Sequence, residues 1–229
     1  MLFLRKLHKW LGLLIGLQVL LWAASGVMFA WLNPADVHAT ASVRAQEPPI
    51  LAPTAVKAEP ATWLADYAGR DLYDVRVVAV ADRWAWRVEL QDRAELRSIE
   101  DGAPLQLDER WVRQLALDRY AGAGRLAAVT LQTQPNIESR ASGPVWRAQF
   151  DDPQRTALYF AADDGHFIVA RGATWRLYDF FWMLHTMDYA GRDNFNNPLI
   201  ILIGFATLWL SISGVVLLTR SFRWFASPR

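Results

Sequence analysis

The chain has 229 residues, a formal net charge of +1 and 53% hydrophobic residues, and this length suits one domain or two small ones. The apolar content excludes a disordered chain. Because cysteine is absent, structural disulfides, thiolate metal sites and covalently attached c-type haem are excluded, and any redox function requires a bound cofactor.

A short N-terminal segment, residues 1–9, precedes a predicted transmembrane helix at residues 10–32. This run carries no charge, and its polar side chains are Gln18 and Ser25. At about 1.5 Å per residue it can cross a hydrocarbon core about 30 Å thick. A secretory signal peptide is the alternative, but the apolar run is much longer than the roughly 7–15 residues of a signal core. We therefore expect an uncleaved anchor.

Residues 33–60 are rich in proline and alanine and are predicted to form a linker. Two units follow, at residues 61–107 and 108–173, and each is expected to contain a helix and three antiparallel strands, which makes an α+β domain. The strands are predicted at residues 74–80, 83–90, 95–99, 126–133, 145–150, 156–160 and 167–170.

The helices of these units are predicted at residues 61–67 and 108–120, the second with Trp111, Leu115 and Leu117 as its buried side. The units also repeat a sequence pattern. Trp86-Arg87-Val88-Glu89-Leu90 matches Trp146-Arg147-Ala148-Gln149-Phe150, and the two segments lead to turns at Asp101-Gly102 and Asp164-Gly165.

Residues 174–190 are predicted to form an amphipathic helix in the outer membrane interface. A second uncharged run, residues 198–219, predicts another transmembrane helix, with Pro198 in the first turn, where proline is tolerated. Residues 220–229 form a tail.

The two spans share a sequence pattern. Leu14-Ile15-Gly16 followed by Ser25-Gly26 equals Leu202-Ile203-Gly204 followed by Ser213-Gly214. Because the two helices run in opposite directions, this pattern indicates an inverted pair, a plan that tends to place shared sites between the repeats. Convergence on small residues for helix packing is the alternative.

Charge separates along the chain. The ends carry six basic residues and no acid, whereas residues 33–197 carry 18 basic and 23 acidic residues, a net of −5. Positive flanks remain on the cytoplasmic side. We therefore expect both termini in the cytoplasm of a bacterial cell and the central domain in the periplasm, with the lipid bilayer of the inner membrane between them and no nucleic-acid partner.

Known catalytic motifs do not explain this chain. It contains no phosphate loop, no Ser/His/Asp order, no His-Glu-x-x-His and no Gly-rich dinucleotide turn, so hydrolytic and nucleotide chemistry have no support, and no flavin or nicotinamide site is visible. The remaining candidates are four histidines: His8, His38, His166 and His185.

His8 lies one turn before the first span, and Gly12 and Gly16 follow at steps of four residues. One helix stripe thus carries an imidazole followed by two positions without side chains, which leaves room for a flat macrocycle. Axial imidazole is what a b-type haem requires, and Arg5 and Lys9 could bind its propionates. The alternative is that the glycines form a helix-packing face and His8 is an ordinary interfacial residue.

His185 lies in the predicted interfacial helix, at the leaflet opposite His8, so the two could not share one haem, but two haems could carry electrons across the bilayer. The alternative is a helix that only seats the outer domain on the lipid. His38 follows the first span and is a possible partner ligand of His185 or a solvated loop residue, whereas His166 is expected at the surface of a turn.

The two ends of the chain carry a resemblance. Arg5-Lys6-Leu7-His8-Lys9-Trp10-Leu11-Gly12 and the segment from Trp175-Arg176-Leu177-Tyr178-Asp179-Phe180 through Met183-Leu184-His185 to Asp188-Tyr189 resemble the PepSY-associated transmembrane helix family. The central tryptophan strands and Asp-Gly turns match its rhythm, so the fold implied is two transmembrane helices that enclose a periplasmic domain of two PepSY-like helix-plus-antiparallel-sheet units.

Relatives in this family with more spans are haem-containing reductases of siderophore-bound iron, and the resemblance implies a similar electron path here. In that picture His8 and His185 are the ligands of haem b. This chain has two spans rather than about four and lacks a clear second histidine on either span, so the resemblance implies a homodimer or a membrane partner. The electrons would come from a partner protein or a membrane quinol.

Two functions follow as hypotheses. The first is a b-type haem electron-transfer protein that contributes to the reduction of ferric siderophore iron in the periplasm. The second is a membrane-anchored, non-enzymatic PepSY module that binds or regulates a periplasmic or membrane partner.

Overall fold

The computed structural model of the chain describes residues 2–45 and 49–225, the last five of these by their backbone only. The predicted linker therefore lies outside the described residues at 46–48. In the predicted tail, residues 220–229, the backbone is described to residue 225 and the side chain of residue 220 only. The chain divides into two compact units, one made of the described parts of residues 1–33 and 176–229 and the other of residues 34–175.

In chain order the helices are α1 Leu2–Trp31, α2 Pro34–Val37, α3 Glu109–Arg119, α4 Ala173–Thr186 and α5 Pro198–Phe225. The strands are β1 Leu72–Val80, β2 Arg83–Leu90, β3 Ala94–Ser98, β4 Pro104–Leu105, β5 Leu126–Gln132, β6 Val145–Phe150, β7 Ala157–Ala161 and β8 Phe167–Arg171. Four short 3-10 turns complete the described elements: Thr40–Ser42, Pro53–Ala55, Pro60–Thr62 and Leu64–Tyr67.

The first unit contains two helices that are long and apolar enough to cross a membrane, Leu2–Trp31 and Pro198–Arg220. Their large apolar side chains are mostly exposed, as Leu14 at 77% and Phe205 at 70% illustrate. A helix that is apolar around most of its circumference and leaves that surface uncovered suits lipid rather than water.

Helix α1 packs against α5 in an antiparallel direction and against α4 at its other end. His8 contacts Ser213 of α5, whereas the Phe29 ring packs against Tyr178 of α4 at 5.0 Å between ring centroids, with the rings tilted by 45°. Gln18 reaches the Leu184 carbonyl at 3.1 Å. Described residues of α4 therefore contact the later part of α1, from Gln18 to Phe29. The depth of α4 in a bilayer, and with it the predicted interfacial position, stays a prediction.

Asn197 joins α4 to α5. Its Nδ2 donates to the Thr186 carbonyl at 2.8 Å, and its Oδ1 accepts from the Ile200 backbone N–H at 3.0 Å. One side chain thus satisfies the last turn of one helix and the first turn of the next. Pro198 occupies the first position of α5, as predicted, because that position needs no N–H donor.

The second unit contains two four-stranded antiparallel meanders, with the strand orders β1-β2-β3-β4 and β5-β6-β7-β8. The internal repeat is confirmed by register. Leu72 pairs with Leu90 in the first sheet and Leu126 pairs with Phe150 in the second, each with an irregularity immediately afterwards. The prediction of three strands per unit is wrong, because β4 pairs with β3 over two residues, too few for an alternating pattern.

Helix α3 begins where Asp108 accepts a hydrogen bond from the Trp111 backbone N–H at 2.7 Å, a side-chain N-cap. Its buried face is Val112, Leu115 and Ala116, whereas Leu117 is 46% exposed, so the predicted burial of Leu117 is wrong. The helix covers a single core shared by both sheets, to which Val80, Leu96, Val129, Phe150 and Phe160 contribute.

The predicted helix at residues 61–67 is wrong, since the segment forms two 3-10 turns interrupted at Trp63, whose φ of −131° leaves the helical region. Trp63 is buried and packs against Trp86 of β2. Both Asp-Gly turns are confirmed. Gly102 and Gly165 have φ of +74° and +70°, a conformation that favours glycine.

Candidate functional site

The first candidate site lies where α1 meets α5. Nδ1 of His8 is 2.7 Å from Oγ of Ser213. The same hydroxyl donates to the Leu210 carbonyl at 3.0 Å. Ser213 is buried and His8 is half-buried, so the serine fixes the Nδ1 edge of the imidazole, and the Cε1–Nε2 edge lies beside Gly214.

The second candidate site repeats this arrangement between α1 and α4. Nδ1 of His185 is 2.7 Å from Oγ of Ser25. That hydroxyl donates to carbonyl oxygens of the preceding turn, at 2.8 Å for Leu21 and 3.0 Å for Trp22. Ser25 is fully buried. Both serines come from the Ser-Gly pairs that repeat between the spans.

These contacts assign the proton on each histidine. A hydroxyl has one proton, and a carbonyl can only accept. Both contacts are satisfied when the serine O–H donates to the carbonyl and the imidazole Nδ1–H donates to the serine Oγ. In this arrangement Nε2 keeps its lone pair. Among the described residues, Nε2 of neither His8 nor His185 has a hydrogen-bond partner. This is the form in which histidine binds a metal, with its second nitrogen held by a neighbour.

Aromatic side chains surround His185. The Phe29 ring meets the imidazole edge-on at 5.4 Å, and the Trp22 ring lies 6.2 Å away. Trp22 Nε1 also donates to the His185 carbonyl at 2.7 Å. With Gln18 on the Leu184 carbonyl, side chains of α1 satisfy the last carbonyls of α4, which would otherwise be costly in an apolar environment.

Glycine leaves space around His8. A Cβ on Gly214 would lie 3.3 Å from the imidazole Cε1, so a larger residue would press on the ring. A Cβ on Gly12 would lie 4.0 Å from Leu210 Cδ2 of α5, and a Cβ on Gly16 would meet nothing within 4 Å. The stripe from His8 to Gly16 therefore lies against α5 at its first two positions and is open at Gly16.

The two sites are far apart along α1. His8 and Ser25 are separated by 17 positions of one helix, which corresponds to roughly 25 Å at 1.5 Å per residue. No single planar cofactor bridges that distance, so each histidine serves its own site.

The other two histidines belong to the second unit. His38 is exposed. His166 is also exposed, at 60% of its side chain, in the Asp164-Gly165 turn, where its Nδ1 is 2.7 Å from Asp164 Oδ1. That bond raises the pKa of His166 above its ordinary value of 6.5, although burial opposes it.

Asp163, Asp164 and His166 lie close enough to share a cation, but their carboxylates are already engaged. Asp164 accepts from Arg87 Nε at 2.7 Å with its second oxygen, and Asp163 accepts from the Ala94 backbone N–H at 2.9 Å. Burial alone would raise the pKa of Asp164, but the hydrogen bonds from His166 and Arg87 outweigh it and hold that pKa well below the ordinary range. The cluster is an ion-pair network that links the two sheets.

Reasoning from the sequence identified His8, His185, Gly12 and Gly16 and missed both serines. One signal could have found them. Gln18 and Ser25 are the polar side chains of the uncharged run at residues 10–32, and both bind α4. Polar groups are costly in lipid unless they are paired, so their presence indicates a partner.

Comparison with known families gives one match. A family model described as PepSY-associated TM region matches residues 2–221. No curated protein and no solved structure matches the chain.

Proposed function

Because the chain belongs to the family of the PepSY-associated TM region, a membrane family, we propose that it is a b-type haem electron-transfer protein of the bacterial inner membrane. In this proposal it contributes to the reduction of ferric siderophore iron on the periplasmic side, with both termini in the cytoplasm. The observation that carries the proposal is the pair of serine-held histidines. Within the described part of the chain, Nε2 of each histidine has no hydrogen-bond partner.

His8 and His185 are the proposed axial ligands, one in each site. A haem would supply iron that alternates between the ferric and ferrous states by one electron. The donor set fits this group, since an imidazole whose Nδ1–H is held by a neighbour is a stronger and better oriented ligand. Arg5 and Lys9 are exposed within one turn of His8, where they can bind propionates.

The spacing of the sites sets how charge would cross the membrane. The two sites are roughly 25 Å apart along α1, and the hydrocarbon core of a membrane is about 30 Å thick. One site would therefore lie near each side of the membrane. A membrane quinol releases two electrons and two protons, and each electron converts one ferric ion into a ferrous ion. The sequence carries no flavin or nicotinamide motif, which supports a quinol or a partner protein as the donor.

Each site receives one histidine from this chain. A second ligand at each site would come from a second copy of the chain or from a membrane partner, and we propose a homodimer. The contacts of Ser213 with His8 and of Ser25 with His185 are the same whichever of these supplies the second ligand.

The test is the absorption spectrum of full-length protein purified in detergent from haem-replete cells. We expect a Soret band that shifts on reduction with dithionite, and loss of about half the bound haem in His8→Ala and in His185→Ala. His166→Ala, in a turn of the other unit, is the matched control and should keep the full amount. Reduced protein should then return to the oxidised spectrum when a ferric hydroxamate chelate is added.

A colourless preparation, or full haem content in both ligand variants, would overturn the proposal. The remaining hypothesis would then be the membrane-anchored PepSY module that binds or regulates a partner. That function predicts unchanged behaviour of both histidine variants and sensitivity to changes in the sheets.

A further inference from the structure

The second unit contains a cavity of about 540 Å³ lined by both sheets and α3. We call it the arginine cleft, after Arg76, Arg87 and Arg119. Its apolar walls include Leu115, Phe160 and Phe167. A cavity of this size with apolar walls and a few convergent charged groups is typical of a site for a small molecule.

Two of the arginines are brought together by strand pairing. Arg76 of β1 lies directly opposite Arg87 of β2 in the antiparallel register. Like charges in that position destabilise a sheet. Asp164 and Glu89 each bind Arg87 at 2.7 Å, which offsets part of this repulsion, while Arg76 has only a longer, exposed contact of 3.3 Å with Asp74.

The third arginine lacks a carboxylate. Arg119 lies in the last turn of α3, and its guanidinium carbon is 4.6 Å from the centre of the Phe167 ring. Its Nε is buried and has no hydrogen-bond partner among the residues that the structure describes. Nε itself is covered, but the Arg119 side chain is only half-buried and lines the cleft, so an anion in the cleft would meet its charge.

The charges of the lining residues favour an anion. Asp164 and Glu89 occupy Arg87, so the charge offered to an anion comes mainly from Arg119 and from Arg76, whose contact with Asp74 is longer and exposed. His166 at the rim has a raised pKa that favours its cationic form. A guanidinium binds a carboxylate through two parallel N–H donors. The walls beside Arg119 are aromatic and aliphatic, so the bound molecule needs an apolar body as well as a charge.

We propose that the arginine cleft binds a small organic carboxylate with an apolar body, its carboxylate on Arg119 and Arg76 and its body against Phe160 and Phe167. Arg87 is held by Asp164 and contributes mainly its charge. This site is independent of the haem proposal, since all its residues belong to the second unit.

The test is isothermal titration of the full-length protein in lipid nanodiscs with 3-phenylpropionate, and separately with its neutral amide and with inorganic phosphate. We expect saturable binding of the carboxylate, none of the amide, and weaker binding of phosphate, which has the charge but no apolar body. Equal binding of the amide, or no saturable binding of the carboxylate at millimolar concentration, would overturn the proposal.

Three variants distinguish binding in the arginine cleft from attraction to positive charge elsewhere on the surface. Arg119→Gln should weaken 3-phenylpropionate binding about tenfold or more, the effect of one charge-assisted hydrogen bond. Arg113→Gln is the matched control, because Arg113 lies on the exposed face of the same helix and pairs with Glu109, and it should leave binding unchanged. Arg119→Lys, which keeps the charge but loses the fork, should give an intermediate affinity.

Folding of each variant is verified by circular dichroism and thermal unfolding before titration. If Arg119→Gln and Arg113→Gln are equally folded and bind 3-phenylpropionate equally well, Arg119 does not form the site. The measurement is made on both haem-free and haem-loaded protein, so failure here is distinct from failure of the haem proposal.

Discussion

Ser25 and His185 are 160 residues apart in the chain, yet Oγ of the serine lies 2.7 Å from Nδ1 of the histidine. The same bond joins His8 to Ser213 across 205 residues. In both pairs the serine hydroxyl is also bound to a carbonyl of its own helix. The two ends of the chain thus form two equivalent sites, each with a histidine whose orientation and tautomer are set by a distant partner.

Removing either serine should weaken the ligand without removing it. In Ser25→Ala or Ser213→Ala the Nδ1–H loses its acceptor, and loss of such a partner typically costs 10–100-fold in metal affinity. We expect a haem titration of each variant to show a loss of this size at one site only. Ser211→Ala is the control, because Ser211 is exposed on α5 and binds the Thr207 carbonyl. Affinities that match the wild type would refute the role of the serines.

Asp164 should be essential to the stability of the second unit. Its side chain is 1% exposed and binds both Arg87 and His166, so Asp164→Ala removes the buried partner of the Arg87 guanidinium and leaves it the more exposed Glu89 alone. Breaking such a pair costs about 3–5 kcal/mol. The free energy of unfolding, measured by urea titration with circular dichroism, should fall by this amount. Glu109→Gln, which breaks an exposed pair with Arg113, should cost less than about 1 kcal/mol, and equal losses would contradict the assignment.

The bond between His166 and Asp164 should make this unit less stable at alkaline pH. The folded pKa of His166 is raised above 6.5, so its contribution is complete below pH 6.5 and disappears as the pH rises through the folded value. The charged groups that face it are Asp163, Asp164 and Arg87. Thermal unfolding between mildly acidic and mildly alkaline pH should show this slope in the wild type and a smaller one in His166→Ala. An identical slope in both proteins would exclude His166 as its source.

Gly102 should not tolerate a side chain. Its φ is +74°, and a Cβ would lie 2.4 Å from Trp63 Cδ1. Backbone strain of this kind costs about 1–3 kcal/mol, and displacement of the buried Trp63 ring would add to it. Gly102→Ala should therefore lower the free energy of unfolding by at least about 1 kcal/mol. A Cβ on Gly143 would meet nothing within 4 Å, so Gly143→Ala should have little effect, and similar results for the two variants would contradict the prediction.

Local pattern was enough to predict most of the fold. The alternation of valine and tryptophan predicted β2 at residues 83–90, and β6 at residues 145–150, with the observed bounds. It failed where the local signal was short or overridden. Strand β4 has two residues, and the segment around Trp63 exchanges helical geometry for burial of that ring.

The candidate sites were only half visible in the sequence. His8 and His185 stood out as imidazoles beside apolar runs, and polar Ser25 in an uncharged run indicated that it has a partner, but nothing local indicated that Ser25 pairs with His185 or Ser213 with His8. Partners 205 and 160 residues away leave no trace in a periodicity of two or 3.6 residues. The same holds for the arginine cleft, since Arg76 and Arg87 are close in sequence but Arg119 reaches them only through the packing of α3.

The distance in sequence between Ser25 and His185 also has a consequence for synthesis. The ribosome adds roughly 5–20 residues per second, so α1 exists for roughly ten to thirty seconds before the residues that pair with Gln18, Trp22 and Ser25 have been made. During that interval these polar groups stand in the nascent helix without their final acceptors and donors. Both sites are therefore completed only after α4 and α5 have been made, and a chain that terminates before α4 has one span but neither site.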